Sequence, residues 1–405
     1  MKFHQWMVVY FVALIHFMAF TQRMDVVPFL IELRDVYHVG YAEVGGLVSA
    51  FLLGYAFFQI PAGTLADRYS PKRIIFIGIF IMLITSCLFA LTHSLVFAIV
   101  LRFVMGASSA LLFSPAIKLL SAYTPRKKRG LSIGIMQGGA GAGMLLKLTI
   151  FPILSTYISF QTLFFIASST LVIILIMFWF LPKDNKQNNI VSKDNNRQSS
   201  NRQTIFQLIK KMVIIKLIGI SFFGMFGLYG FLVWLPTYLE TILGFSKQQA
   251  GMIMAISMIS QIVMGPVSGK VSDWMGERKT TLIIGSFVMV VSSLWLLVFR
   301  DFGIYIVAFL VGTGISWSMA PVLTLASEIV RDNEGSVISL INTIGQIASA
   351  ISGYIYGLLF ELSGHFQWIW LSCLIAFIIR IFISLGKLED TPDNQINHES
   401  SSRTL

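Results

Sequence analysis

The chain has 405 residues, 56% of them hydrophobic and only 12% charged, with 34 Phe and 18 Met. A soluble domain carries about 25% charged residues because its surface faces water, so half that share excludes an ordinary soluble globule and points to lipid. The formal net charge of +11 raises nucleic acid as a partner. The basic residues sit in short loops between apolar runs, however, not on one face of a folded domain, and no nucleic-acid role is expected.

A helix crossing the hydrocarbon of a bilayer needs about 20 apolar residues. Runs of that kind fall at 6–30, 44–62, 74–92, 95–122, 131–154 and 163–182, and again at 213–239, 249–268, 281–299, 304–328, 336–360 and 366–386. The first run follows Lys2 and has the look of a signal peptide. No small-residue cleavage pattern comes after it, only Thr21-Gln22-Arg23-Met24-Asp25, so it reads as a retained span. Cys87 and Cys373 each lie inside an apolar run with no ligand-like neighbour, which gives no basis for a disulfide framework or a zinc site.

Between the two sets of six lies 183–211, rich in Asn, Gln, Ser and Lys, which cannot bury a core and reads as a linker. The tail from 388 to 405 has the same character. The expected organisation is therefore a six-helix bundle over 1–182, a cytoplasmic linker over 183–211, a second bundle over 212–387 and a cytoplasmic tail over 388–405. The positive-inside rule sets the orientation. With both ends of the chain in the cytoplasm, only Arg34, Lys247 and Arg300 among the 30 Lys and Arg fall in outside loops. The expected location is the inner, plasma membrane, as a multi-pass monomer in contact with lipid.

The halves repeat. Gly63-Thr-Leu-Ala-Asp67-Arg68, followed by Lys72-Arg73, ends the second span, and Gly269-Lys-Val-Ser-Asp273-Trp274, followed by Arg278-Lys279, ends the eighth. The same offset carries span 1 onto span 7 and span 5 onto span 11. Parallel repeats of this kind place a solute site at their interface near the midplane.

Gly63-x-x-x-Asp67-Arg68-x-x-x-Lys72-Arg73 resembles the signature loop between helices 2 and 3 of the major facilitator superfamily, and Gly269 to Lys279 stands where that superfamily has its second copy. Arg102-x-x-x-Gly106 in span 4 is similar to its helix-4 motif. The resemblance covers the whole chain. It implies an all-α polytopic fold of 12 transmembrane helices, built as two six-helix bundles related by a pseudo-two-fold axis, and a secondary transporter working by alternating access. It also implies that Gly63, Asp67, Arg68, Arg73, Gly269, Asp273 and Arg278 form a conformational latch. Gly63 would let two helices approach closely, Asp67 would meet a positive helix N-terminus, and Glu328 at the end of span 10 would be a latch partner.

Charges inside spans are costly, about 2.5–3.5 kcal/mol each at a helix centre on insertion scales. Lys118, Lys216 and Arg380 lie near cytoplasmic ends, where they can snorkel. Arg23, Arg102 and Lys147 lie deeper, at similar depths in the N-terminal half, with Asp25 the only acid close to them in sequence. Three cations facing one wet cavity would favour an anion, and Arg offers a fork matched to carboxylate or phosphate. The alternative is that Arg102 packs or gates and Arg23 pairs with Asp25. Organic-anion carriers of the superfamily have a span-1 arginine, though about one turn earlier relative to the following proline, here Pro28. They also have a span-7 stretch like Gly230 to Leu239.

Expected solute contacts are Arg23, Arg102, Lys147, Gln137, Tyr229, Trp234 and Asn342, with Asp25 as the proton-coupling group. Tyr55, Gln59, Gln261, Trp317 and Gln346 are further polar residues that line a path or join helices, and His16 is a lone intramembrane histidine that packs or relays protons. Neither a metal nor a cofactor is expected. The solute is read as a small organic or inorganic anion, moved with a proton or against a counter-solute. The alternative is export of drugs or metabolites by proton antiport, against which span 5 has Lys147-Leu148 where the drug antiporters have Gly-Pro. A solute receptor and a membrane-embedded enzyme rank below both, the enzyme for want of any catalytic constellation.

Overall fold

A computed structural model describes residues 3–125, 128–178, 212–275, 278–300, 302–329 and 334–386. The expected linker 183–211 and tail 388–405 lie outside the described residues. So do the side chains of Asp67, Asp273 and Glu328, although their backbones are helical.

In hydrocarbon no water is at hand to satisfy a backbone N–H or C=O, so each apolar run closes its own hydrogen bonds as helix. Span 1 is Phe3–Arg23, followed by a short 3-10 turn at Val27–Phe29 and a helix at Leu30–Tyr37. Spans 2, 3 and 4 are Tyr41–Arg68, Pro71–Leu91 and Leu95–Tyr123. Span 5 runs from Arg129–Leu145 through a π-turn at Leu146–Ile150 into Phe151–Leu154, and span 6 is Phe160–Phe178. Span 7 has the same construction, Met212–Tyr229, a π-turn at Gly230–Trp234 and Leu235–Thr241. Spans 8 to 12 are Lys247–Met275, Arg278–Val298, Ile304–Ile329, Glu334–Ser363 and Gln367–Leu385. Eleven of the described spans are long and apolar enough to cross a membrane, and span 10 adds the shorter apolar stretch Ile304–Ser318. Polar caps stop the ends: Ser94 Oγ accepts from the N–H of Phe97 at the head of span 4, and His38 adopts φ 52 where the helix after span 1 finishes.

The repeat seen in the sequence is a repeat of packing. In span 4 the backbone of Gly106 lies so close to span 2 that a Cβ there would run into the carbonyl of Phe51. In span 10, Gly312 has the same relation to the carbonyl of Ser257 in span 8. Both members of the second pair follow the first by 206 residues. Only glycine allows an approach this close.

Twelve spans put both ends of the chain on one side, termed here the terminal end. The halves meet mainly at the opposite end. There Gly45 of span 2 abuts the carbonyl of Gly353 in span 11, Ser49 Oγ donates to the carbonyl of Ala350 at 2.5 Å, and Ala42 N–H donates to Glu361 Oε2 at 3.1 Å. Lys247 at the head of span 8 pairs with Glu32, and Gly251 sits against Thr149 and Pro152 of span 5. The largest apolar cluster spreads across both halves at this seam and includes Val44, Phe51, Trp234, Leu235, Ile253 and Tyr356.

Toward the terminal end the halves part. A Cβ on Gly134, Gly138 or Gly141 of span 5 would meet nothing within 4 Å, and the same holds for Gly265 and Gly269 of span 8 and Gly63 of span 2. This corrects the expectation that Gly63 marks a close helix approach: among the described residues, none lies within 4 Å of a Cβ at Gly63 or Gly269 in this conformation. In span 5, Gly139 and Gly143 pack against the span-1 carbonyls of Ala13 and Phe17. Gly138 and Gly141 face open space because they lie on the other side of the helix.

Arg380 also departs from expectation. It does not snorkel. Its side chain is fully buried between spans 7, 10 and 12, donating to the carbonyl of Ser318 at 2.7 Å and lying against Gly224. Lys118, in contrast, reaches the carbonyl of Ala66 at 2.5 Å near the end of span 2.

Candidate functional site

Span 1 stops being helical at Arg23, and that break organises the site. A helix end leaves carbonyls with no partner inside the helix. Here Arg102 of span 4 satisfies them, with Nη1 donating to the carbonyl of Gln22 at 3.0 Å and Nη2 to that of Arg23 at 3.3 Å. Its Nε donates to the carbonyl of Leu47 in span 2 at 3.2 Å. Nη1 also holds Asp25 Oδ1 at 2.6 Å, with both side chains at 0% exposure. Phe51 and Phe89 cover the guanidinium at 4.7 and 5.9 Å. Four acceptors, one of them the ion-paired Asp25, make Arg102 a knot that ties spans 1, 2 and 4 together.

Asp25 is thereby taken by Arg102, and the alternative of an Arg23–Asp25 pair does not occur. Arg23 points the other way, into the seam. Its Nε donates to the hydroxyl of Tyr229 in span 7 at 2.9 Å, and its Nη2 donates to the same hydroxyl and to Gln346 Oε1 of span 11. Its guanidinium stands over the rings of Phe20, Tyr55 and Tyr229 at 5.5, 5.5 and 5.7 Å. Gln346 Nε2 donates to Asn342 Oδ1 at 3.4 Å, and one turn along Thr343 Oγ1 donates to Gln59 Oε1 at 3.3 Å. All of these partners are neutral. Arg23 brings one positive charge to the junction of both halves, at the apex of the gap that opens toward the terminal end.

A small cavity of about 10 Å³, room for a single water, lies beside it, lined by His16, Ala19, Phe20, Arg23, Tyr55, Ser109, Leu112 and Phe113.

Lys147 occupies the π-turn of span 5, fully buried, with Nζ 3.7 Å from the ring centre of Phe151 and 5.1 Å from that of Phe164. That nitrogen makes no hydrogen bond, and neither does Asp25 Oδ2. The expectation of three cations on one wet wall is corrected here: Arg23 borders the cavity, while Arg102 and Lys147 are enclosed within the N-terminal half. Depth was legible from the sequence, but helix rotation was not.

The remaining expected contacts scatter. Tyr229 and Asn342 join the Arg23 cluster directly or through Gln346. Trp234 is sealed in the seam, its ring 6.2 Å from that of Tyr41 and against Gly45, so it lies toward the opposite end. Gln137 is exposed on span 5 beside the open-faced glycines. Arg68 and Arg73 are exposed, and Arg278 donates to Ser272 Oγ at 2.9 Å. Phe20, Ser109 and Phe113 were not singled out from the sequence. Their helical spacing from Arg23 and Arg102 is the one signal they carry, and every residue of an apolar span shares such a spacing with something.

The family model described as Major Facilitator Superfamily matches residues 12–353 and 220–403. A probable sulfoacetate transporter of Cupriavidus necator is 22% identical over 375 residues, covering 87% of each chain. A probable galactarate/D-glucarate transporter of Escherichia coli is 24% identical over 391 residues, covering 85% of each. Among solved structures, a bacterial homolog of the human lysosomal transporter Spinster, in an inward-facing and occupied conformation, superposes with a TM-score of 0.76 at 15% identity, over 95% of this chain and 97% of that one. Two repeated six-helix halves meeting around a central charge are thus matched by a family model over most of the chain, and the protein belongs to the Major Facilitator Superfamily of membrane transporters.

Proposed function

We propose that the protein is a secondary transporter of a small organic anion, and that Arg23 is the residue that receives the anion. One observation carries this reading: Arg23 is a cation at the seam of the two halves whose hydrogen-bond partners, Tyr229 and Gln346, are both neutral. A buried charge without a counter-charge is costly in hydrocarbon. A solute carboxylate supplies that counter-charge and fits the planar fork of the guanidinium. The relatives named above support the class, since sulfoacetate and galactarate or glucarate are small organic acids.

Transport follows from the same geometry. Spans 1, 7 and 11 all touch Arg23, so an anion that binds there competes with Tyr229 and Gln346 and loosens one half from the other. The gap toward the terminal end is the entry in this conformation. By the distribution of Lys and Arg that end is cytoplasmic, and the membrane is the plasma membrane. The loops at Gly63 to Arg73 and Gly269 to Arg278 would close against each other when the seam at the opposite end opens. Asp25, buried against Arg102 with Oδ2 unsatisfied, is the proton-coupling group of this scheme.

Uptake into proteoliposomes tests it. A panel of carboxylates and sulfonates, with and without a pH gradient, should contain a substrate for the wild-type protein, and Arg23→Gln should abolish its uptake. Uptake of that acid at the wild-type rate by Arg23→Gln would sink the assignment.

A further inference from the structure

Away from Arg23, a hollow of about 370 Å³ lies at the terminal end of spans 3 and 6, lined by Ser70, Lys72, Arg73, Phe76, Ile77 and Phe178. Span 3 begins there. Ser70 is its N-cap residue, the Ser70 side chain makes no capping bond, and Pro71 has no N–H to give. The positive end of a helix and two basic side chains therefore border one space. Lys72 is buried, with Nζ 5.9 Å from the ring centre of Tyr123. Arg73 is exposed, and among the described residues no hydrogen bond or ion pair engages it.

The rest of the lining is apolar and faces lipid. Phe76 and Ile77 are 40% and 50% exposed on span 3, and Phe80, one turn further along, is 47% exposed. The rings of Phe76 and Phe80 stack 6.5 Å apart, and the ring of Phe178 in span 6 lies 5.6 Å from that of Phe76. An apolar strip thus runs from the basic residues along span 3 toward the membrane interior.

The second repeat treats its two cations differently. The residues 206 positions after Lys72 and Arg73 are Arg278 and Lys279. Arg278 donates to Ser272 Oγ at 2.9 Å, and Lys279 donates to the carbonyls of Leu385 and Gly386, where span 12 ends, at 3.0 and 3.1 Å. There the protein supplies acceptors for its own cations, whereas Arg73 has none among the described residues.

We infer that this hollow seats an anionic phospholipid, with its phosphate on Arg73 and Lys72 and its acyl chains along Phe76, Ile77 and Phe80. The planar fork of Arg73 matches two phosphate oxygens, and the head of span 3 adds its own attraction for an anion. Basic pockets between helices at membrane-surface depth suit such headgroups. The apolar strip favours a lipid over free phosphate, which would leave that strip uncovered. A zwitterionic lipid carries an ammonium against its own phosphate, so it gains less from the two cations.

The test titrates the full-length protein in detergent with phosphatidylglycerol or with phosphatidylcholine of the same chains, and counts bound lipids by mass spectrometry of the intact complex. Wild type should retain one phosphatidylglycerol with about tenfold or greater preference over phosphatidylcholine. Lys72→Gln combined with Arg73→Gln should bring the two lipids to similar retention, the change expected for two charges at a membrane surface. Ile77→Glu keeps both cations, sets an acid on the apolar strip and should lose the tightly held lipid too. Unfolding midpoints in lipid-free detergent separate lost lipid from lost fold. Arg300→Gln removes an exposed cation at the opposite end and should leave the preference intact. Glycerol 3-phosphate in excess should not displace the lipid. Displacement would make the hollow a free-phosphate site and overturn the lipid assignment. Equal retention of the two lipids by wild type, an unchanged preference in the double variant, or the same loss in Arg300→Gln would overturn the site itself.

Discussion

Arg23 and Tyr229, which hydrogen-bond to each other across the seam, occupy the same position in the two repeats, 206 residues apart. Span 1 and span 7 therefore meet at symmetry-related residues near the pseudo-two-fold axis. Duplication supplied two copies of the position. One has become a cation and the other a neutral acceptor that steadies it.

Substitution at this pair separates charge from shape. Arg23→Lys keeps the charge and loses the fork that contacts Tyr229 and Gln346 together. It should retain measurable acid uptake with KM raised by about tenfold or more, whereas Arg23→Gln should have none. Tyr229→Phe removes the acceptor of Arg23 Nε and frees the guanidinium for the solute, so binding should persist while exchange across the membrane changes. Concentration-dependent uptake, with counterflow measured in parallel, reads both effects.

The Arg102–Asp25 knot should behave as a structural unit. Breaking a buried pair from one side costs about 3–5 kcal/mol because the other charge is stranded. Arg102→Met should therefore lower the thermal unfolding midpoint in detergent sharply, and adding Asp25→Asn should restore much of the loss. Equal midpoints for Arg102→Met and wild type would show that the knot is not what holds the end of span 1.

Asp25→Asn alone asks a different question. Its amide keeps an acceptor for Arg102 but carries no exchangeable acidic proton. Removing the carboxylate strands Arg102 and should lower the unfolding midpoint, but in the protein that stays folded exchange of labelled acid at equal pH on both sides should survive, and accumulation driven by a pH gradient should disappear. Accumulation at the wild-type level would move proton coupling to another group.

The closed seam predicts labelling behaviour. A side chain at Gly353 has no room beside the Ser49 hydroxyl and the carbonyl of Gly45. Gly353→Val should hold the halves apart at the opposite end, raising reactivity of a cysteine placed at Tyr41 and lowering that of one at Gly138. Glu361→Gln weakens the hold of that carboxylate on the first turn of span 2, an interaction of about 0.3–1 kcal/mol, and should move both reactivities the same way but less. Accessibility labelling in vesicles checks both variants.

Much of the molecule is written in local properties of the chain. Length of apolar run, the bias of Lys and Arg among loops and the repeated Gly-x-x-x-Asp loop together determine twelve spans, two related halves and a transporter, because a lipid environment leaves the backbone no alternative to helix. The depths of Arg23, Arg102 and Lys147 follow from counting residues along a helix. Which way each points does not. Apolar side chains surround these helices on nearly every side, so hydrophobic periodicity carries little rotational information. The π-turns at Leu146–Ile150 and Gly230–Trp234 shift the register further. Tertiary packing alone decided that Arg102 closes on Asp25, that Lys147 and Arg380 are enclosed, and that Arg23 is left facing its own repeat partner with a charge unmatched.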